Sequence, residues 1–338
     1  MRPQALVGEL ERLAPGSIRR NAPLSDLGRW RIGGPADIVV DPPTAEAAAA
    51  AADLLAGSGA RWTVIGEGSN LLFDSAGYRG VILRIGPSLA WFEGDARSGI
   101  VRAGAGLWVP YFALKTLRLG LAGCVHAIGI PGMLGGLVVM NGGSQRKGIG
   151  EQLLDVTVAR PGAGLATLDR EACAFRYRCS ALQNTDAIVL EARFRYAPAD
   201  PGALRREAIA IMRDRRRKFP KQLPNCGSVF LSNPALYETL GPPGRAIEAA
   251  GLKGLACGGA MFSPHHANFI VNQGDATSDD VLRLIHAARR AVFERTGLAM
   301  DCEVRHLPPE GALRPAHVSA EERFGDIVGP IEEPVGSQ

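Results

Sequence analysis

No stretch of this chain stays apolar for the roughly 20 residues that a membrane-spanning helix needs. Its six cysteines, at 124, 173, 179, 226, 257 and 302, include no Cys-x-x-Cys pair. That scatter argues against a zinc site and a disulfide framework and fits a reducing compartment. Aromatic residues are only 6% of the chain and do not alternate with basic ones, as a binder of single-stranded nucleic acid would require. The net charge of +4 over 338 residues is mild. The first residues, MRPQALVGELERLAPGS, carry acids and lack an apolar core of signal-peptide length. These absences point to a cytoplasmic protein with no metal, membrane or nucleic-acid partner. One basic cluster, Arg213-Asp214-Arg215-Arg216-Arg217-Lys218, is either a solvated helix face or an anion site.

What the chain does have is glycine in unusual places. Residues 64–73 read VIGEGSNLLF, with Gly66 and Gly68 following an apolar run. A Rossmann fingerprint would need a third glycine where Leu71 stands, and a helix next. Instead Leu71-Leu72-Phe73, the turn Asp74-Ser75-Ala76-Gly77 and Val81-Ile82-Leu83 read as strand, turn, strand. The Rossmann reading fails. A second stretch, GCVHAIGIPGMLGGLVVMNGGSQ at 123–145, is too rich in glycine for a good helix or strand. Its backbone must adopt unusual angles or approach something closely.

Around these loops the pattern is α/β. Residues 4–14 read as a short amphipathic helix, 38–40 as a strand, 42–56 as a helix entered through Pro43-Thr44, and 61–65 as a second strand. The loop after 65 then lies at the carboxyl end of a strand, where α/β sheets bind ligands. Short strands follow to about 104, then a helix over 107–119 and strands at 153–160 and 188–196. The stretch APADPGA at 197–203 reads as a linker, and the helix at 204–218 as the start of a second domain. Helices at 244–251 and 278–296 and strands at 267–272 and 299–306 complete that domain. Beyond Leu307 the residues are Pro-, Glu- and Gly-rich without periodicity, and read as a disordered extension.

Eight stretches, in order, resemble the UDP-N-acetylenolpyruvoylglucosamine reductase family of peptidoglycan precursor synthesis. They are RIGGPAD (31–37), GEGSNLL (66–72), GIPGMLGGLVVMN (129–141), YRCS (177–180), PNCGSVF (224–230), AGLKG (250–254), HANFIVN (266–272) and CEVRHL (302–307). The resemblance implies an FAD-binding domain of the vanillyl-alcohol-oxidase type in two subdomains, 1–75 and 76–200. A smaller α/β substrate domain over 201–310 follows, and 311–338 is the disordered tail. It implies noncovalent FAD, with NADPH as hydride donor and a nucleotide-sugar substrate, in a monomeric enzyme. Gly66, Gly68, Ser69, Asn70 and Leu71 would then hold the FAD pyrophosphate as an anion nest. Gly129, Ile130, Pro131, Gly132, Gly135 and Gly136 would cover the flavin, with Asn141 reaching its ring or ribityl chain.

Reducing an enolpyruvyl ether places hydride on the terminal carbon and a proton on the carbon bearing ether and carboxylate. Negative charge gathers on that carboxylate on the way, so a fixed cation beside it is the largest expected catalytic contribution. By resemblance, Arg178 takes that role, Ser228 delivers the proton, and Glu303 pairs with Arg178 or assists the relay. Read alone, Arg178 is an ordinary strand-end cation and Ser228 a turn residue. Glu303, between Cys302 and Val304, is a carboxylate in an apolar strand, which is costly without a purpose. Arg215, Lys218, Asn233 and Lys253 are the candidates for the substrate's diphosphate side.

The chain also departs from the family. Met133-Leu134 replaces a Thr-Val pair, Asn141-Gly142-Gly143-Ser144-Gln145 replaces Asn-Ala-Gly-Ala, and Leu27-Gly28-Arg29-Trp30 replaces a threonine-containing stretch. Phe219-Pro220 stands where Gln-Pro is usual, the family has one residue fewer between the serine and the Asn-Pro that matches Asn233-Pro234, and Met261-Phe262 replaces Gln-Val. These substrate-side changes leave open a paralogue acting on a related enolpyruvyl or nucleotide-sugar substrate. Two other classes stay in view: an oxidase with flavin attached to Cys124 or His126, and a non-catalytic nucleotide-sugar module.

Overall fold

The computed structural model describes residues 3–220 and 222–327, which group into two units. The first comprises residues 3–22, 35–69 and 78–217, and the second residues 23–34, 70–77, 218–220 and 222–327.

In the first unit a four-stranded sheet runs Ile18–Pro23, Pro35–Val40, Tyr78–Arg84, Trp62–Ile65. Strands Pro35–Val40 and Trp62–Ile65 both lie parallel to Tyr78–Arg84, which separates them. Val81, Ile82 and Leu83 of that central strand are all buried, the continuous apolar run of a strand covered on both faces. Helix Ala45–Ser58 starts where the Thr44 hydroxyl accepts the Ala47 N–H at 3.1 Å. Its buried residues Ala48, Ala51, Ala52 and Leu55 recur at helical spacing and form its core-facing stripe. A five-stranded antiparallel sheet runs Gly164–Asp169, Leu153–Arg160, Ile188–Arg195, Ile100–Gly104, Phe92–Asp95.

Both sheets of this unit share one apolar cluster, from Val40, Ala48 and Val81 through Val101 and Phe112 to Val156 and Phe194. The boundary read at 75/76 therefore does not divide the hydrophobic core. The linker reading of 197–203 also changes. Ala197–Pro198 pairs antiparallel with Leu121–Ala122, and the helix, observed over Pro201–Lys218, buries Leu204, Ala208 and Ile211 against Leu117 and Val125. Almost the whole helix belongs to the first unit, and the change of unit falls at 217/218 rather than 200/201. A Pro- and Gly-rich composition marked a turn there, not a domain boundary.

The second unit gathers three pieces of chain around Trp30, Leu72, Val229, Phe230, Phe262, Ile270, Ile285 and Val304. The Trp30 indole donates to Ile270 O at 2.7 Å, and the Asn272 side chain donates to Trp30 O at 2.9 Å. Residues 23–34 are thus stitched to this unit by a buried aromatic anchor. Strand Leu71–Phe73 lies parallel to Arg305–Leu307, which pairs antiparallel with Arg314–Pro315. Strands Ala256–Cys257, Ala260–Phe262 and Ile270–Asn272 form a small antiparallel sheet. Helix Ser278–Thr296 opens with a reciprocal Thr277–Asp280 capping box.

The extension read as disordered is ordered through residue 327. Helix Ala316–Phe324 buries Ala316, Ser319 and Ala320. The buried Arg289 pairs with its Glu321 at 2.6 Å, Arg323 pairs with Asp74, and Ser319 Oγ lies 2.9 Å from His306 Nδ1. This short helix is held by partners remote in sequence, which no local periodicity reveals. Residues 328–338 of that reading lie outside the described residues. The strand read at 299–306 is likewise shorter: only Arg305–Leu307 joins a ladder, and Cys302 makes a single bridge to Phe230. Among the described residues, no helix is long and apolar enough to cross a membrane.

Candidate active site

In the first unit, strand Trp62–Ile65 ends at its carboxyl edge in Gly66, Glu67, Gly68 and Ser69. Gly68 is buried with φ +59°, a left-handed conformation. Gly132, with φ +131°, comes so close to this loop that an added Cβ would sit 2.6 Å from Ser69 Oγ. The two glycine-rich stretches therefore meet backbone against side chain with no room between them. Gly132 O accepts the Val109 N–H at 2.9 Å, and Gly135 N–H donates to Ala105 O at 2.8 Å, so the second stretch is pinned to the unit. A Cβ at Gly136 would meet nothing within 4 Å, leaving an open approach to helix Leu134–Val139.

Beside these loops, the Arg215 side chain lies against Gly129, where a Cβ would overlap its Nε and Cδ. Burial lowers the Arg215 pKa below its ordinary value. His126 is 3% exposed, and its Nδ1 has no hydrogen-bond partner among the described residues. Burial, the largest influence, pushes its pKa down to about 4; Glu151 opposes this, while Lys147 and Arg178 add to it. The imidazole is therefore neutral near pH 7. Close-set glycine loops, an open helix face and an unsatisfied buried imidazole fit a large polar cofactor such as FAD.

Arg178 occupies a tight turn in which Arg176 and Cys179 exchange both backbone hydrogen bonds, at 2.9 and 3.1 Å. Its φ of +52° is a conformation that non-glycine residues hold only when the surroundings impose it. The guanidinium donates to Gly143 O at 2.6 Å, and the Gln183 side chain donates to Arg178 O at 3.0 Å. Both ends of the Asn141 amide are engaged within the unit. Its Nδ2 donates to Arg176 O at 2.8 Å, and its Oδ1 accepts the Gly150 N–H at 3.0 Å. It ties the Arg178 turn to the second glycine stretch.

In the second unit, Ser228 follows Gly227, whose φ of +80° turns the chain. The next residue, Val229, accepts the Glu303 N–H at 2.8 Å. Ser228 and Glu303 thus sit on adjoining backbone segments. The Asn70 side chain donates to Glu303 O at 3.0 Å, and Asn70 O accepts the Arg305 N–H at 3.0 Å. The Asn70 side chain, expected to add a donor at the pyrophosphate, fixes the Glu303 backbone. Leu71, expected beside it, is a strand residue whose carbonyl accepts the Cys226 thiol at 3.3 Å. Burial pushes that thiol up to about 12, against hydrogen bonds to it that lower it, so Cys226 is neutral and directed at Leu71.

Asn268 holds the other side of the serine loop. Its carbonyl accepts the Val229 N–H at 2.9 Å, and its side chain brackets Phe230, accepting N–H at 2.9 Å and donating to O at 3.0 Å. The Asn268 N–H donates in turn to His266 Nδ1 at 3.2 Å. His266 packs with Phe219 and Phe269 at centroid distances of 5.6 and 5.0 Å. The Phe219 that replaces the family's glutamine therefore fills an aromatic cluster. Burial lowers the His266 pKa most, with Glu248 opposing and Lys253 and Lys218 adding to the fall. Lys253 pairs with Glu248 at 2.9 Å, and Asn233 caps helix Pro234–Thr239 by accepting the Ala235 N–H at 3.0 Å.

The structure thus brings Gly66–Ser69, Gly129–Gly132 and Arg215 together in one unit, and Ser228, Glu303 and Asn70 in the other. It gives Asn233, Leu71 and Asn141 backbone-holding roles. Asn268 and His266 escaped the residue reading even though HANFIVN was singled out, because the partners of Asn268 are at 229 and 230 and His266 packs on Phe219. The covalent-flavin alternative at Cys124 meets a thiol of zero exposure, which burial pushes up to about 12 against the hydrogen bonds of Thr116 and Tyr196.

Comparisons with known proteins bear on the same regions. Residues 36–168 match the FAD binding domain family, and residues 219–307 the UDP-N-acetylenolpyruvoylglucosamine reductase C-terminal domain. UDP-N-acetylenolpyruvoylglucosamine reductase 1 of Corynebacterium glutamicum is 46% identical over 306 residues, 90% of each chain. The reductase of Halalkalibacterium halodurans is 39% identical over 301 residues, 89% of this chain and 98% of its own. The crystal structure of the reductase from Thermus caldophilus superposes with a TM-score of 0.71 at 30% identity, covering 86% of this chain and 98% of the other. With two domain models in order and relatives matched nearly end to end, the chain belongs to the UDP-N-acetylenolpyruvoylglucosamine reductase family.

Proposed function

We propose that this chain reduces the enolpyruvyl ether of UDP-N-acetylglucosamine-enolpyruvate to UDP-N-acetylmuramate, a peptidoglycan precursor step, with NADPH as reductant. Bound FAD, held noncovalently, supplies the hydride relay between NADPH and substrate. The backbone N–H groups of Gly66, Gly68 and Ser69 would hold its pyrophosphate, and Gly129–Gly132 would pack against it. Arg178 steadies the charge that develops on the substrate carboxylate, a task suited to a cation already aimed by its turn and by Gly143. Ser228 delivers the proton to the carbon bearing the ether, and Glu303 assists that transfer. Lys218 and Lys253 bind the diphosphate, which displaces Glu248 from its exposed ion pair with Lys253. Soluble nucleotide substrates imply a cytoplasmic enzyme, and the reading takes it as a monomer.

The observation that carries this reading is the Glu303 N–H to Val229 O hydrogen bond, which sets the proposed acid and carboxylate on adjoining segments. The test is reoxidation of NADPH-reduced enzyme by the enolpyruvyl sugar nucleotide. Ser228→Ala should still be bleached by NADPH, while reoxidation slows by roughly a hundred- to ten-thousand-fold. Cys226→Ala should reoxidise normally. A larger loss in Cys226→Ala would put the proton on the wrong residue.

A further inference from the structure

We propose that the segment Leu313–Glu321, beyond the C-terminal end of the matched family domain at residue 307, sets the position of Glu303, with His317 as the positioning residue. The inference rests on the reading of Glu303 as part of the catalytic set.

Glu303 is a half-buried carboxylate between two buried neighbours, Cys302 and Val304. Both neighbours are held from the same short segment. The Cys302 N–H donates to His317 Nδ1 at 3.0 Å, and the Ala316 N–H donates to Val304 O at 3.0 Å. One residue on, the Arg305 guanidinium donates to Leu313 O at 3.0 Å, and His306 Nδ1 lies 2.9 Å from Ser319 Oγ. Glu303 itself is spanned by these bonds. Its own N–H and carbonyl go to Val229 and Asn70. The backbone carrying the carboxylate is therefore pinned through Val229 and Asn70, and again through the terminal helix.

His317 is the informative member. An imidazole accepting through Nδ1 is the tautomer protonated at Nε2, and that nitrogen lies 3.6 Å from Asp301 Oδ1. The ring is largely enclosed, with 15% side-chain exposure. The terminal helix is in turn anchored by Glu321 on the buried Arg289 and by Arg323 on Asp74. A side chain fixed at that depth can hold Glu303 to the sub-ångström tolerance that chemistry needs.

Three variants test this in the full-length, flavin-loaded enzyme. His317→Leu removes the acceptor for Cys302 and keeps apolar bulk. His317→Asn keeps an acceptor near the Nδ1 position. Ala316→Pro deletes the N–H bound by Val304 at the first helical residue, where proline is accepted, and Pro315 already has φ −56° and ψ 136°, which a residue before proline adopts. Bleaching by NADPH should be unchanged in all three. Reoxidation by the enolpyruvyl substrate should fall by on the order of a hundredfold in His317→Leu and Ala316→Pro and recover substantially in His317→Asn. Equal loss in both half-reactions, or His317→Asn as slow as His317→Leu, would reduce the segment to a structural support and overturn the proposal. Should His317→Leu fail to fold, Ala316→Pro decides alone, and normal reoxidation in it overturns the proposal. Glu303→Gln is the control for the underlying reading: normal reoxidation there removes Glu303 from catalysis, whereas a slow Glu303→Gln with a normal Ala316→Pro removes only the positioning role.

Discussion

Asp74 links the terminal helix to the rest of its unit through charge, and its removal should cost stability in a pH-dependent way. The carboxylate is 3% exposed. Its Oδ1 accepts the Ala76 N–H at 2.8 Å, Arg323 pairs with Oδ2, and His306 Nε2 lies 3.3 Å away, off the line of a good hydrogen bond. Burial alone would raise its pKa. The His306 ring, the Ala76 N–H and the Arg323 charge outweigh that and lower it from 3.8 to about 2. At about 1.4 kcal/mol per pH unit this contributes about 2 kcal/mol to folding. Because the folded pKa is the lower one, the contribution is complete above the unfolded value. It is lost as pH falls toward 2, with about half gone at pH 3. Urea unfolding of wild type and Asp74→Asn should therefore differ by about 2 kcal/mol at pH 6 and about 1 kcal/mol at pH 3. A difference that stays constant across this range would refute the reasoning, since the effect would then come from lost packing and not from charge.

Gly132→Val would put a side chain onto Ser69 Oγ and hold valine at φ +131°. Strain of about 1–3 kcal/mol should weaken flavin retention on the order of tenfold to a hundredfold, read by fluorescence on dilution; full occupancy would exclude this loop from the cofactor site. Arg178→Ala should leave reduction by NADPH near normal and slow reoxidation by substrate about a thousandfold, as stopped-flow absorbance would record. Equal damage to both half-reactions would mark Arg178 as structural. Asn268→Leu, which strips the brackets from Phe230, should behave like a mild Ser228→Ala, with reoxidation slowed and bleaching intact.

Legibility in the sequence followed how local the determinants were. Helix Ser278–Thr296 was readable to the residue because its cap at Thr277, its buried stripe and Gly297 lie within one stretch. The strands at 153–160 and 188–195 were readable from β-branched runs. Helix Ala316–Phe324 was not, since it is nine residues long and its partners are Asp74, Arg289 and His306. The two glycine stretches announced close approach by composition, but only the folded chain reveals that Gly132 approaches Ser69 and that Gly129 carries Arg215. Asn70 illustrates the limit most clearly. A polar residue after Gly-x-Gly-Ser reads as a ligand group, whereas its side chain holds the carbonyl of Glu303, 233 residues away.

The most direct test of the whole account is anaerobic reoxidation of the purified protein. The protein should be yellow, lose its colour on acid precipitation to a soluble flavin, and be bleached by NADPH. Adding UDP-N-acetylglucosamine-enolpyruvate should then restore the oxidised spectrum with one UDP-N-acetylmuramate formed per flavin. Bleaching by NADPH with no reoxidation by that substrate would contradict the account.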